Sequence, residues 1–242
     1  MSAEARPAFY ALRSGGWRDY VTLVHPPYTL WHLSYVALGA GLAPEFRWNR
    51  FWLVSAAFFL AVGIGAHALD ELRGRPLQTR IPRAVLVGLG ALTIAGGVAL
   101  GVTAAVSFDL WLLLFVGFGG FIAVAYNLEL FGGAFHGPIW FAASWGAFPV
   151  LTGYFTMAGR VRAEAVLAAA YAFLLSFAQQ RLSAEVRLVR RRVVDASGVL
   201  TLRDGTTQPI DADRLLRAPE TALQALAGAT IALGLALLLL HG

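Results

Sequence analysis

Ionisable side chains cluster at the end of one apolar stretch of this sequence. His67, Asp70 and Glu71 stand at positions i, i+3 and i+4, so they share one face if this segment is helical. An imidazole and two carboxylates on one face could hold a divalent cation. We therefore take all three as candidate catalytic and metal-binding residues. The alternative, which the sequence leaves open, is that Asp70 and Glu71 pair with Arg73 or Arg75.

Further polar side chains stand where other apolar stretches begin or end. Tyr126, Asn127 and Glu129 close the fourth stretch, and His136 opens the fifth. Glu129 and His136 would complete the metal-ligand set, with solvation at an interface as the alternative for both. We expect His32, which lies inside the first stretch, to be a buried histidine bonded to a neighbouring helix.

The composition indicates what kind of element must position these side chains. Of the 242 residues, 58% are hydrophobic and only 14% are charged, whereas a soluble domain is about 25% charged. The sequence contains no cysteine, which excludes disulfide scaffolds, thiolate metal sites and cysteine nucleophiles. It also lacks the G-x-S-x-G elbow, the P-loop and the H-E-x-x-H zinc signature.

Seven apolar stretches are each about long enough to cross the hydrocarbon core of a bilayer. They predict an all-α, polytopic membrane helix bundle that forms a single domain over residues 1–242. The predicted spans cover residues 28–44, 51–68, 84–107, 110–126, 138–158, 163–180 and 221–240.

The arginines predict the orientation of this bundle. If the N-terminus is cytoplasmic, the cytoplasmic segments hold 15 of the 19 basic residues, so the positive-inside rule places the N-terminus inside and the C-terminus outside. We expect a multi-pass protein of a bacterial inner membrane. An anionic membrane face then accounts for the net charge of +5, and no nucleic-acid partner is expected.

In this orientation the candidate site residues all lie on the cytoplasmic side. We expect one polar cavity, open to the cytoplasm and lined by the ends of the second, fourth, fifth and sixth spans. The loop 181–220 is the one sizeable cytoplasmic piece, and the turn signal Asp204-Gly205 between alternating residues predicts a small β-hairpin there.

Three stretches of the chain together resemble the UbiA superfamily of intramembrane prenyltransferases. The resemblance covers roughly residues 20–185 and rests on the order and spacing of the stretches. They are His25-Pro-Pro-Tyr-Thr-Leu30 with Leu38-Gly-Ala40, then Asp70 with Arg75-Pro-Leu-Gln-Thr-Arg-Ile81, and finally Tyr126 with Trp145-Gly-Ala-Phe-Pro-Val-Leu-Thr-Gly-Tyr154.

The resemblance implies a helical bundle around a central cavity and an isoprenyl diphosphate bound through Mg²⁺. The prenyl group would pass to a hydrophobic acceptor such as a quinone precursor or a lipid. His67, Asp70, Glu71 and Glu129 would hold one cation, and the apolar bundle would hold the tail. The residues expected to contact the substrate are Arg75, Arg80, Tyr126, Asn127 and Arg181.

The chain departs from the pattern of this family at both aspartate-rich motifs. The first is usually N-D-x-x-D-x-x-x-D, and here Ala66, His67 and Gly74 replace three of its four named residues. Gln179-Gln180-Arg181 and Glu185 stand where the second motif is expected, and two helices are missing at the C-terminal end.

Three functions therefore stay open. The first is a divergent prenyltransferase that uses Mg²⁺. The second is a membrane enzyme of other chemistry on the same fold, since mixed histidine and carboxylate ligands suit Zn, Mn or Fe. The third is a non-catalytic protein that binds lipids or prenoids.

Overall fold

The computed structural model describes residues 6–242 as a bundle of helices with one small hairpin. Helices α1 and α2 cover Trp17–Leu23 and Pro26–Gly41, and the long helix α3 covers Trp48–Leu72. The other long helices and the two strands are α4 (Arg83–Ser107), α5 (Leu112–Asn127), α6 (138–158), α7 (Ala163–Arg192), β1 (Gly198–Thr201), β2 (Thr207–Ile210) and α8 (Ala212–Leu239).

Within residues 6–242, four helices are long and apolar enough to cross a membrane: α3, α4, α7 and α8. The structure thus confirms a helical membrane bundle. The other three predicted spans lie on α2, α5 and α6, of which α2 and α5 have 16 residues each. A helix of 16 residues is about 24 Å long, shorter than the hydrocarbon core of about 30 Å. That all seven helices cross the membrane stays a prediction.

The outer faces of the bundle carry large apolar side chains that are exposed. Leu92 and Val106 on α4 are 75% and 72% exposed, and Leu167 on α7 is 72% exposed. Leu114 on α5 and Leu239 on α8 are also exposed. Large apolar side chains exposed on several helices are unfavourable in water and fit lipid tails.

Helix α2 forms the centre of the bundle and packs against α6 and α8. Its crossing with α6 has no room for side chains. A Cβ atom added at Gly39 would overlap the Val150 carbonyl, and one added at Gly153 would overlap the Val36 carbonyl. Small residues at such crossings let helix backbones touch, which is how helices associate closely in membranes.

Two helices contain a π-helical stretch, in which the backbone winds more widely than in an α-helix. The stretch in α3 covers Phe59–Ala66, and the stretch in α6 covers Ala143–Ala147. Such stretches are rare and occur frequently at functional sites. Both of them border the cavities that are described below.

Helix α7 is the longest element, with 30 residues, and ends in three consecutive arginines. The loop that follows it contains the hairpin, in which β1 and β2 pair antiparallel with Asp204 and Gly205 between them. Helix α8 then begins at the cap residue Asp211, whose carboxylate accepts from the Arg214 N–H, and packs against α7 and α2.

Candidate functional site

A polar cavity of about 270 Å³ opens at one end of the bundle. Its walls come from the beginnings of α2 and α6, the ends of α3, α5 and α7, and residues 7–10 near the N-terminus. The ends of the second, fourth, fifth and sixth predicted spans therefore meet there. Two walls were not expected: the beginning of α2 and the N-terminal segment.

Helix α2 contributes one polar face to this cavity. His25, Tyr28 and His32 stand at i, i+3 and i+7, and all three line it. Because a helix rises 1.5 Å per residue, His25 and His32 are separated by about 10 Å along the axis. His25 thus lies near the mouth of the cavity and His32 near its floor.

Helix α7 contributes a second face whose polarity changes with depth. Arg191 and Arg187 line the cavity nearest the end of the helix, followed by Ser183 and then by Gln180 and Gln179. These residues recur at helical spacing, so they form one stripe along α7. The mouth of the cavity is therefore cationic, and its floor is polar but uncharged.

Within the described part of the chain, the two arginines of this stripe have no carboxylate partner. Among residues 6–242, neither Arg187 nor Arg191 forms an ion pair, whereas the neighbouring Arg190 is paired with Glu220 of α8. Asp70 is the one carboxylate among the described lining residues. Two guanidinium groups against one carboxylate make the mouth a site for an anion.

The histidines of α2 and α3 meet across the cavity. The ring of His25 stacks on that of His67, with centroids 4.0 Å apart and planes 10° apart. His67 Nδ1 lies 3.1 Å from the Gly63 carbonyl oxygen. Because a carbonyl only accepts, Nδ1 must carry the proton, and Nε2 of the neutral ring is left with its lone pair.

His25 has an unusual backbone conformation for a residue with a side chain. Its φ and ψ are 50° and 60°, in the left-handed region that non-glycine residues rarely occupy. Strained residues of this kind cluster at functional sites. Here the strain places the His25 ring against both His67 and Tyr10, whose hydroxyl lies 2.9 Å from His25 Nδ1.

Two buried polar side chains at the floor lack hydrogen-bond partners within the described part of the chain. Both ring nitrogens of His32 are unpartnered, and so is Oε1 of Gln179. These residues are only 6% and 3% exposed. We expected His32 to bond to a neighbouring helix, but its ring lines the cavity instead. Buried polar atoms that face a cavity are available to a ligand.

The predicted metal-binding residues separate into two groups. His67, Asp70 and His136 line the cavity, together with the expected substrate-contacting residues Tyr126 and Asn127. Within residues 6–242, no group of three or more histidine and acidic side chains is close enough together to hold a metal ion. The expected five-ligand set is thus not assembled in this structure.

Glu71 has a different role from the one that its position beside Asp70 suggested. It is fully buried, and its carboxylate accepts hydrogen bonds from the N–H groups of Leu77 and Thr79 and from the Thr79 hydroxyl. It does not line the cavity. Glu71 therefore holds the loop after α3 in place, because it satisfies backbone donors that would otherwise be buried without partners.

The remaining predicted site residues also bond elsewhere. Glu129 forms an ion pair with Arg73 at 2.8 Å. Arg75 donates to the Thr79 carbonyl, and the backbone N–H of Arg80 donates to Asp19. Arg181 lies over the ring of Phe177. None of these side chains lines the cavity. The arginines that do line it are Arg187 and Arg191.

A second, apolar cleft of about 80 Å³ lies between α3, α4, α5 and α6. Its walls include Ala57, Gly97, Gly101 and Gly119, which leave room beside the helices. Val62 and Trp145 line both this cleft and the polar cavity.

Each of these two shared residues lies in a π-helical stretch, Val62 in α3 and Trp145 in α6. The widened turns therefore form the junction between the polar and the apolar space. A ligand with a polar head and an apolar tail fits this arrangement of two adjoining spaces.

Several residues that line the cavity were not predicted as site residues, although their spacing in the sequence is helical. Arg187 and Arg191 were assigned to a loop because the sixth span was expected to end near residue 180, yet α7 continues to Arg192. Their i, i+4 spacing with Ser183 continues the helical pattern of that span. His25, Tyr28 and His32 likewise show the spacing of one helix face.

Comparisons with protein-family models, with curated proteins and with solved structures return no match for this chain. Its class is therefore defined by its own structure: a helical membrane protein with a polar cavity at one end and an adjoining apolar cleft.

Proposed function

We propose that this protein is an intramembrane prenyltransferase of UbiA-like architecture, in which all seven long helices cross the inner membrane. The cavity mouth would face the cytoplasm. The observation that carries the proposal is the junction at Val62 and Trp145. There an apolar cleft adjoins a cavity whose two arginines form no ion pair within residues 6–242. An isoprenyl diphosphate has a matching division into an anionic head and an apolar tail.

In this proposal Arg187 and Arg191 bind the diphosphate oxygens at the mouth through charge-assisted hydrogen bonds. The prenyl tail runs past Val62 and Trp145 into the apolar cleft. Because the reacting C1 carbon is bonded directly to the diphosphate, it then lies just below the two arginines, beside His67. A hydrophobic acceptor reaches the same region from the bilayer.

The reaction would break the bond between C1 and the bridging oxygen, and the diphosphate would leave with the electron pair. A new bond forms between C1 and the nucleophilic atom of the acceptor. The proton that the acceptor loses passes to Nε2 of His67, whose lone pair stays free because Nδ1 bonds to the Gly63 carbonyl.

The residues present suit a magnesium ion that arrives with the diphosphate better than a resident metal centre. Mg²⁺ is usually held by one or two carboxylates together with substrate phosphates. Asp70 would supply the carboxylate and Asn127, which also lines the cavity, an amide oxygen. Such an ion, when bound, neutralises charge on the leaving diphosphate.

A second candidate is non-catalytic binding of an isoprenoid or lipid phosphate. The single carboxylate at the cavity favours it, since prenyl transfer through Mg²⁺ in the resembling family relies on two aspartate-rich motifs. A metal-dependent enzyme of other chemistry, using Zn, Mn or Fe, is less well supported, because the described residues form no group of three metal-binding side chains.

The proposal can be tested with Val62→Phe, which places a ring at the junction. In lipid nanodiscs, we expect it to weaken the binding of radiolabelled farnesyl diphosphate more than tenfold and to leave the binding of inorganic diphosphate unchanged. Val85→Phe is the matched control, since Val85 lies exposed on α4 and lines neither space.

Turnover is followed by the release of inorganic diphosphate when hydrophobic acceptors are added. Release that depends on an acceptor supports the transferase. Tight binding without release, across phenolic, quinol and lipid acceptors, favours the non-catalytic function. Failure of the wild-type protein to bind farnesyl diphosphate contradicts the transferase and any non-catalytic binding of an isoprenyl diphosphate.

A further inference from the structure

The mouth of the polar cavity is covered by an N-terminal segment that belongs to none of the long helices. We call residues 7–12 the strap. Pro7, Ala8, Phe9 and Tyr10 all line the cavity. Ala8 is 9% exposed and Ala11 is 1% exposed, so the strap is packed against the bundle.

The strap is held over the mouth by contacts with residues of the site itself. The Tyr10 hydroxyl lies 2.9 Å from His25 Nδ1. The rings of Phe9 and Tyr10 pack edge-on against Tyr28, with centroids 6.3 and 5.5 Å away. Because burial raises the pKa of the Tyr10 phenol above its ordinary value, its hydroxyl keeps its proton at neutral pH.

Arg191 takes part in both the strap and the cavity. Its Nε donates to the Pro7 carbonyl at 3.5 Å, which is a long hydrogen bond, and its side chain also lines the cavity. Arg190 donates to the Arg6 carbonyl but is already paired with Glu220. An anionic head group at the mouth would therefore compete with the strap for Arg191 and not for Arg190.

A hinge follows the strap. Gly15 and Gly16 have φ values of +124° and +62°, and a Cβ atom at either position would contact nothing within 4 Å. The hinge is attached to a fixed point, since Asp19 is buried and accepts from the N–H groups of Gly15 and Arg80. Opening must also break the bond from the Leu12 N–H to Thr22 Oγ1. The free space and the glycine dihedrals then allow the strap to move as a unit.

We propose that the strap is a movable wall of the ligand site, which opens to admit a phosphate-bearing head group and closes over it, with Tyr10 as the residue that holds it closed. The identity of the head group rests on the function proposed above. The movement of the strap does not, because it follows from the contacts of the strap and from the hinge. Tyr10 acts here as a positioning residue.

The absence of cysteine from the sequence makes the strap accessible to a direct test. Ala8→Cys places one thiol on the buried side of the strap, and Ala11→Cys provides a second, independent position. Each is labelled with a membrane-impermeant maleimide in nanodiscs, so that the rate reports how often the strap opens. Thr206→Cys, in the exposed turn of the hairpin, is the control for reagent access.

We expect the strap thiols to react more slowly than the thiol at position 206. Adding Tyr10→Phe removes one hydrogen bond and should raise the strap rates about threefold to tenfold, without changing the control rate. Bound farnesyl diphosphate, measured in the same sample, should lower the strap rates again. Strap thiols that react as fast as the control, or rates that Tyr10→Phe leaves unchanged, would overturn the proposal.

Labelling rates and farnesyl diphosphate binding together separate an error in the proposed strap from an error in the proposed function. If Tyr10→Phe accelerates labelling but the protein binds no farnesyl diphosphate, the movable strap is supported and the prenyl donor is wrong. If farnesyl diphosphate binds and the strap rates do not fall, the donor is supported and the closing of the strap over it is contradicted.

Discussion

The imidazole of His25 lies flat against that of His67, so that each ring covers one face of the other. The ring edges are then free to reach other groups. Nδ1 of His25 forms a hydrogen bond with the Tyr10 hydroxyl, and Nδ1 of His67 forms one with the Gly63 carbonyl. The pair thus joins three elements of the cavity wall: the strap, α2 and α3. We expect it to set the shape of the mouth.

Replacing His25 should separate the effect of stacking from that of hydrogen bonding. His25→Phe keeps a ring against His67 but loses the bond to Tyr10, whereas His25→Ala loses both. An aromatic pair contributes about 0.5–1.5 kcal/mol, so we expect His25→Ala to bind radiolabelled farnesyl diphosphate about fivefold more weakly than His25→Phe. Equal dissociation constants for the two variants would mean that the stack does not support the site.

The unpaired arginines should dominate the affinity for an anionic head group. Hydrogen bonds to charged groups contribute about 1.5–3 kcal/mol. Arg187→Gln and Arg191→Gln should therefore each weaken farnesyl diphosphate binding by at least about tenfold, with a shallower dependence on salt. Arg192→Gln is the matched control, because Arg192 is exposed and does not line the cavity. A loss of similar size in that control would point to general attraction by the basic end of α7.

The two adjacent carboxylates at the end of α3 should respond differently to neutralisation. Glu71→Gln places an amide where three donors converge, so we expect it to lower the free energy of unfolding by about 2–3 kcal/mol, seen as a lower thermal midpoint in detergent. Asp70→Asn should keep the fold and reduce diphosphate release. The opposite pattern, a stable Glu71→Gln protein that has lost activity, would show that Glu71 takes part in the reaction.

The crossing of α2 and α6 should tolerate no added atom. In Gly39→Ala the new methyl group meets the Val150 carbonyl, and the backbones must separate, at a cost of about 1–3 kcal/mol in the free energy of unfolding. Gly117→Ala on α5 adds the same methyl group into open space and should be neutral or slightly stabilising. Thermal unfolding of both variants in one detergent compares them directly.

The sequence predicts the helices better than it predicts the site, because the two depend on different information. Apolar stretches identify helices locally, and each of the seven predicted spans lies on a helix of the structure. The polar ends of these stretches also predict a cavity that contains His67, Asp70, Tyr126, Asn127 and His136. Those are consequences of helical periodicity and of the high cost of polar groups in lipid.

The role of Glu71 could not be predicted, because its partners are backbone groups six and eight residues away. They reach it only because the loop takes up left-handed conformations at Arg75 and Gln78, which no local pattern indicates. His25 was missed for a similar reason. A histidine beside two prolines looks like the end of a span, and its left-handed backbone turns the ring into the cavity.

Helix α7 bears on how a lipid could reach the polar cavity. Its 30 residues span about 45 Å, some 15 Å more than the hydrocarbon core of a bilayer. Arg187 and Arg191 lie in its last two turns, so in a membrane they stand at the level of the lipid head groups. A phosphate would reach them without leaving the head-group region, and only the tail would have to change neighbours. Such a ligand would arrive by lateral diffusion within one leaflet, and its occupancy would follow its mole fraction among the surrounding lipids and not its solubility in water.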